Sequence, residues 1–192
     1  METASTVTRV LRSFAFLDIS GFTSFTELQG DAASVNALAD FRLVVRDVSS
    51  HLGVRVAKWL GDGAMFVGVE TEPLIAALLE IENRLRRNGF PLALRAGITV
   101  GEVILFEGDD YIGTPVNLAS RLCSEAGPGQ IFVTRPVAAS APDGVSHVEI
   151  GALEVRGIAE PVDIVALSAT AGFLPTHRLR QLLLRFGVLS SS

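Results

Sequence analysis

Two apolar runs, residues 54–60 and 64–69, are separated only by Gly61, Asp62 and Gly63, which leaves room for a chain reversal and little else. The two glycines admit positive backbone dihedrals, so the runs are expected to close as an antiparallel hairpin with Asp62 at its tip. A second carboxylate, Asp18, sits at the end of the phenylalanine-rich run Ser13–Ile19. A carboxylate that leaves bulk water after Phe14, Phe16 and Leu17 needs a cationic partner, and two of them brought together would repel. A divalent cation between them answers both problems. Hard ions of the magnesium type take a few carboxylates and leave other positions to water and phosphate oxygens.

Around this hairpin the apolar spacing alternates between helical and extended periods. Thr23–Leu52 reads as helical, with Leu38, Phe41, Val45 and Val48 on one stripe and an interruption at Gly30. A second helix is expected from about Glu72 to Asn88, stopped by Gly89 and Pro91. Strands are expected at Leu92–Val100, Val103–Phe106 and Gln130–Thr134, with smaller ones toward Leu167. Helices alternating with hairpins point to an α+β fold, a mostly antiparallel sheet with helices packed on one face.

The segment "TPVNLASR" predicts a helix over Thr114–Glu125, with Thr114 as cap and Pro115 in the first helical position. Asn117 and Arg121, four residues apart, then share a face. An amide and a forked guanidinium on one rigid element suit an oxyanion or phosphate. Seen alone, the pair reads more readily as a surface arginine and a solvated asparagine. In "ISGFT", Gly21 permits a tight turn, and the amides of Gly21, Phe22 and Thr23 would open a helix where phosphate oxygens bind well.

Composition excludes several classes. With 192 residues the chain fits one domain with a full core, and its net charge of -5 argues against a general nucleic-acid binder. One cysteine, Cys123, leaves no intrachain disulfide, fits a cytoplasmic location and is expected to pack in the core. No apolar run approaches the roughly 20 residues of a membrane span, so no integral membrane segment is expected. The first residues lack the apolar centre of a secretory signal. His51, His147 and His177 show no ligand spacing, and Phe14, Phe16 and Trp59 read as core.

Taken together, "FLDISGFT", "VAKWLGDG" and "DDYIGTPVNLASR" resemble, in order, the motifs of the class III nucleotide cyclase catalytic domain, adenylyl cyclase type, in its short-arm bacterial subgroup. The resemblance runs from about Phe14 to Leu167 and implies a ferredoxin-like core. It implies Asp18 and Asp62 as ligands of two divalent metal ions per site, Mg²⁺ or Mn²⁺, with the Ile19 carbonyl as a further ligand. It implies Lys58 and Asp110 as adenine-selecting residues, and Asn117 and Arg121 as the pair that positions the nucleotide and stabilises the transition state. Arg156 in "EVRGIAEP" stands where the family carries a phosphate-contacting lysine.

The implied reaction converts ATP to 3′,5′-cyclic AMP and pyrophosphate, in a signalling role, at sites shared across a head-to-tail homodimer. Singly, Asp18 reads equally well as a helix cap, Asp62 as a turn residue and Lys58 as a solvated strand residue; jointly they do not. Strand alternation groups Lys58 with Val54 and Val56. The rival readings are a catalytically silent nucleotide-binding module, a guanylyl cyclase and a dinucleotide-forming cyclase. The domain plan is a lead-in over 1–12, a catalytic domain over 13–168 and an amphipathic extension over 169–192. In that extension Leu179, Leu182, Leu183 and Phe186 share one helical face.

Overall fold

The computed structural model describes residues 8–106, 110–170 and 173. Asp109, His177 and the apolar face at Leu179–Phe186 lie outside the described residues. In chain order the elements are β1 (Arg9–Ile19), α1 (Phe22–Gln29), α2 (Asp31–Leu52), β2 (Arg55–Leu60), β3 (Gly63–Gly68), α3 (Thr71–Arg87) and β4 (Leu94–Phe106). There follow β5 (Asp110–Ile112), α4 (Thr114–Glu125), β6 (Ile131–Thr134), α5 (Arg135–Ala138), β7 (Val145–Leu153) and β8 (Val162–Ala169).

The described strands form one sheet in the order β2-β3-β1-β4-β6-β8-β7, with β5 paired to β4 off this path. Its first four strands, with the helices between them, are a βαββαβ unit of ferredoxin-like order. Every pairing is antiparallel except β4 with β6.

Alternation along β1 divides the two faces. Ala15, Leu17 and Ile19 point into the main core, where they meet Phe41, Val45 and Val48 of α2 and Leu74, Ile75 and Leu78 of α3. Phe14 and Phe16 point to the other side, against Met65, Val67, Val103 and Ala119. Helices α2, α3 and α5 cover the first face, as expected; α4 is the departure and crosses the second. Two glycines of β4 explain how it can. A Cβ on Gly97 would lie 2.3 Å from both the Ala119 carbonyl oxygen and the Cys123 nitrogen, and one on Gly101 would lie 2.6 Å from the Pro115 ring. The bare backbone at these positions lets α4 rest directly on the sheet.

Several expected boundaries shift. The long first helix is two helices, because Gly30, at φ 83°, caps the end of α1 and precedes the start of α2. The two strands expected between 92 and 106 are one, since Gly101 stays in the ladder opposite Arg12. Strand β1 begins at Arg9, ahead of Ser13, because Arg9–Arg12 pair with Gly101–Ile104. Thr114 is not the cap of α4: Gly113 holds that position, and no side chain bonds the free amides. The space at Gly113 is too tight for a larger residue to sit easily, with Val103 Cγ1 3.0 Å from where a Cβ would be.

Candidate active site

Asp18 lies opposite Gly63 of β3 and Arg95 of β4 in the ladder, so the β2–β3 turn brings Asp62 beside it. Both aspartates are half-buried. Burial raises the Asp62 carboxyl above its ordinary value, and the charge of Asp18 raises it further, against a hydrogen bond from its own backbone. One cation already stands at this corner. Arg95 donates from Nε at 2.9 Å and from Nη2 at 2.7 Å to Asp18 Oδ2, and from Nη1 at 3.3 Å to the Ser124 carbonyl at the end of α4. Arg95 was not singled out in the sequence, although its i,i+2 spacing to Gly97 places it on the α4 face of β4.

No cluster of three or more His, Cys, Asp or Glu that could hold a metal occurs among the described residues. The residues do fit a hard divalent cation that takes one or two carboxylates together with substrate phosphates, because among the described residues Arg95 hydrogen-bonds Asp18 and offsets the partly desolvated charge of Asp62 only through space.

Next along the chain, Gly21 adopts φ 75° and caps α1, so the amides of Phe22 and Thr23 open the helix without intrahelical partners. The Ser20 hydroxyl oxygen at this corner is buried with no hydrogen-bond partner among the described residues. Ile19 is buried at the end of β1.

Lys58 corrects the alternation argument. Strand β2 carries a bulge between Val56 and Lys58, so Val56 pairs with Phe66 of the main core while Lys58 pairs with Met65 on the α4 face. The extra residue turns Lys58 away from Val54 and Val56. There its ammonium donates to Asp110 Oδ1, 52 residues on. The β4–β5 hairpin delivers Asp110 by folding back over this face, where the Tyr111 ring meets the edge of Phe14 at 5.4 Å.

Asn117 and Arg121 are exposed on α4, opposite the buried Ala119, Leu122 and Cys123, and neither makes a hydrogen bond or ion pair among the described residues. Arg156 is exposed on the loop between β7 and β8, in a shallow concavity formed by residues 154–161. Among these candidates, two pairs meet within one chain: Asp18 with Asp62, and Lys58 with Asp110. A cavity lined by Arg12, His51, Arg55, Glu72 and Tyr111, near the other end of β1, holds none of the candidates.

Comparison with known proteins fits this architecture. The model of the adenylate and guanylate cyclase catalytic domain family matches residues 7–168, and the chain belongs to that family. An uncharacterized protein of Mycobacterium tuberculosis is 35% identical over 149 residues, covering 77% of this chain and 38% of the relative. A pH-sensitive adenylate cyclase of the same species is 32% identical over 150 residues, 75% of this chain and 37% of the relative. The chain thus spans well under half the length of these relatives. Among solved structures, the adenylyl cyclase CyaB from P. aeruginosa superposes with a TM-score of 0.77 at 25% identity, covering 88% of this chain and 98% of that one. The guanylyl cyclase Cya2 superposes with a TM-score of 0.73 at 24% identity, covering 86% and 95%. Among the described residues, no helix is long and apolar enough to cross a membrane.

Proposed function

We propose that the chain is the catalytic domain of an adenylyl cyclase that converts ATP to 3′,5′-cyclic AMP and pyrophosphate. The observation that carries the choice of ATP is the Lys58–Asp110 pair. It sets a donor beside an acceptor. Adenine offers a ring-nitrogen acceptor next to an amino donor, and guanine presents an O6 acceptor in place of the amino group. The pair therefore favours adenine by polarity.

The remaining residues are assigned by chemistry and by family resemblance. The amides of Gly21, Phe22 and Thr23 hold phosphate oxygens at the start of α1. Arg95 contributes positive charge at the same corner, and Arg156 approaches the phosphates from its loop. Asn117 orients the ribose, and the Arg121 fork donates to charge that develops on the α-phosphate as the 3′-hydroxyl attacks in line and pyrophosphate departs. Asp18 and Asp62, with the Ile19 carbonyl, are the residues to hold Mg²⁺ or Mn²⁺. When bound, two such ions neutralise the triphosphate and lower the pKa of the attacking hydroxyl. Asn117 and Arg121 are free of protein partners among the described residues, which suits a head-to-tail homodimer in which they serve the metal corner of a second copy.

Incubating the purified protein at several concentrations with ATP or GTP and either cation, with the product identified by mass, tests this reading. Cyclic AMP whose specific rate rises with protein concentration is the expected result. Cyclic GMP formed in excess from GTP would make it a guanylyl cyclase, and no cyclic product from a proven dimer would make it a silent nucleotide-binding module.

A further inference from the structure

Trp59, the one tryptophan in the chain, lies immediately past the β2 bulge and faces α2, the opposite side from Lys58. Its ring packs edge-on to Phe41, with centroids 6.4 Å apart. Two guanidinium groups from successive turns of α2 stand against it: Arg42 at 5.1 Å and Arg46 at 5.3 Å from the ring centroid. Only Arg42 goes further, donating from Nη2 at 3.1 Å to the carbonyl of Gly61. Gly61, at φ 65°, is the residue before Asp62. The Arg42 Nε is buried and has no hydrogen-bond partner among the described residues.

A buried donor left unpaired is costly, and an exposed arginine on a helix avoids that cost by extending into water. Arg42 instead lies flat on an aromatic ring, where the π face compensates a cation in part, and spends one fork nitrogen on a turn carbonyl. We infer that Arg42 is a positioning residue: a brace from α2, seated on Trp59, that fixes the Gly61 peptide and so the direction of the Asp62 carboxylate. The turn needs such a tether. It contains two residues, one a glycine, and the strand leading into it is bulged at Ala57, so the hairpin ladder alone constrains its tip weakly. Arg46 shares the ring but not the turn, which makes it the internal control.

This inference rests on the reading of Asp62 as a metal ligand, and two measurements separate them. The first is amide exchange over residues 57–66, by mass spectrometry, without metal or nucleotide. The second is Mn²⁺ binding without nucleotide, from the electron paramagnetic resonance of the free ion. Arg42→Met is expected to speed exchange in the turn and to weaken Mn²⁺ binding on the order of tenfold, the lower range for loss of an outer partner of a metal ligand. Arg46→Met is expected to change neither. Restoring the charge in Arg42→Lys is expected to recover part of the loss. Wild-type exchange and wild-type Mn²⁺ binding in Arg42→Met would overturn the proposal. Should Arg42→Met fail to fold, Arg42→Lys decides: a folded variant with wild-type exchange and Mn²⁺ binding overturns it. If the wild-type chain binds no Mn²⁺ without nucleotide, turn exchange alone decides the brace, and Mn²⁺ binding measured with nucleotide present decides the metal reading of Asp62.

Discussion

Replacing Gly97 with alanine would test whether α4 is placed by direct contact with bare backbone. The added Cβ would lie 2.3 Å from the Ala119 oxygen and the Cys123 nitrogen, and 2.7 Å from Leu122 Cβ. Non-bonded carbon contacts settle near 3.5 Å, so relief requires a displacement of roughly 1 Å. Two of the three obstructing atoms are backbone, so no side-chain rotation can supply it; helix and strand must separate. Overpacking of this kind costs about 1–3 kcal/mol. For a domain of this size that corresponds to a fall in Tm of roughly 2–12 °C.

The functional cost follows from the cargo. Asn117 and Arg121 ride on α4, and a misplacement near 1 Å costs on the order of 100-fold in turnover. Thermal unfolding by circular dichroism and cyclic nucleotide formation at saturating ATP and Mn²⁺ would be measured on the same preparations. Gly101→Ala is the comparison, because its Cβ meets the Pro115 ring at 2.6 Å, a side chain at the helix start, and a smaller effect on both readouts is expected. Wild-type Tm and turnover in Gly97→Ala would refute the argument that the glycine sets the height of α4.

Three further outcomes are expected. Arg121→Ala should lose about 10²–10³-fold in turnover, with a much smaller change in KM for ATP, as removal of a transition-state donor does; steady-state kinetics on a variant of unchanged Tm checks this. Lys58→Met and Asp110→Asn should each lower the ratio of ATP to GTP activity by about 10- to 100-fold, the worth of a charged hydrogen bond. Because the pair is half exposed, Tm should move little. Burial, with the nearby charge of Asp18, pushes the Cys123 thiol from 9.0 up to about 12. The folded chain therefore keeps this proton where the unfolded chain releases it, so stability from the thiol is complete below pH 9 and declines as pH rises toward 12. Between pH 8 and 10.5 wild type should lose about 2 kcal/mol more than Cys123→Ala in denaturant unfolding, and equal losses would contradict a buried neutral thiol.

What the sequence revealed, and what it concealed, follows the range of the interactions involved. The hairpin with Asp62 at its tip, the helix over Thr114–Glu125 and the end of β1 at Asp18 are written in adjacent residues, and they stand where expected. The split of the first helix was half-written in Gly30. Arg95 was hidden because its partner, Asp18, lies 77 residues away, and a lone arginine in a strand carries no local signal. Of the two β4 glycines, Gly101 read as a break between strands while Gly97 passed unremarked inside one, since period and composition cannot distinguish a glycine that ends a strand from one that admits a helix against it. Which face α4 covers was equally hidden, being settled by that contact.

The bulge at Ala57 is the clearest case, because a single inserted residue decides the side of the sheet on which each later residue of β2 acts. In regular alternation Lys58 would face α2 with Val56, and Trp59 would face α4. The observed register exchanges them: Lys58 pairs with Met65 and reaches Asp110, while Trp59 pairs with Ala64 and receives Arg42. The same irregularity therefore sets the donor–acceptor pair proposed to read the base and the seat of the brace proposed to hold Asp62. These are adjacent residues serving opposite faces, which a regular strand also provides, but in the wrong order for either. With only two residues between the hairpin strands there is no slack in the turn to correct the order, so the bulge has to precede Lys58. Its position at Ala57, between Val56, which packs on the main core, and Lys58, which meets Asp110, follows from that constraint.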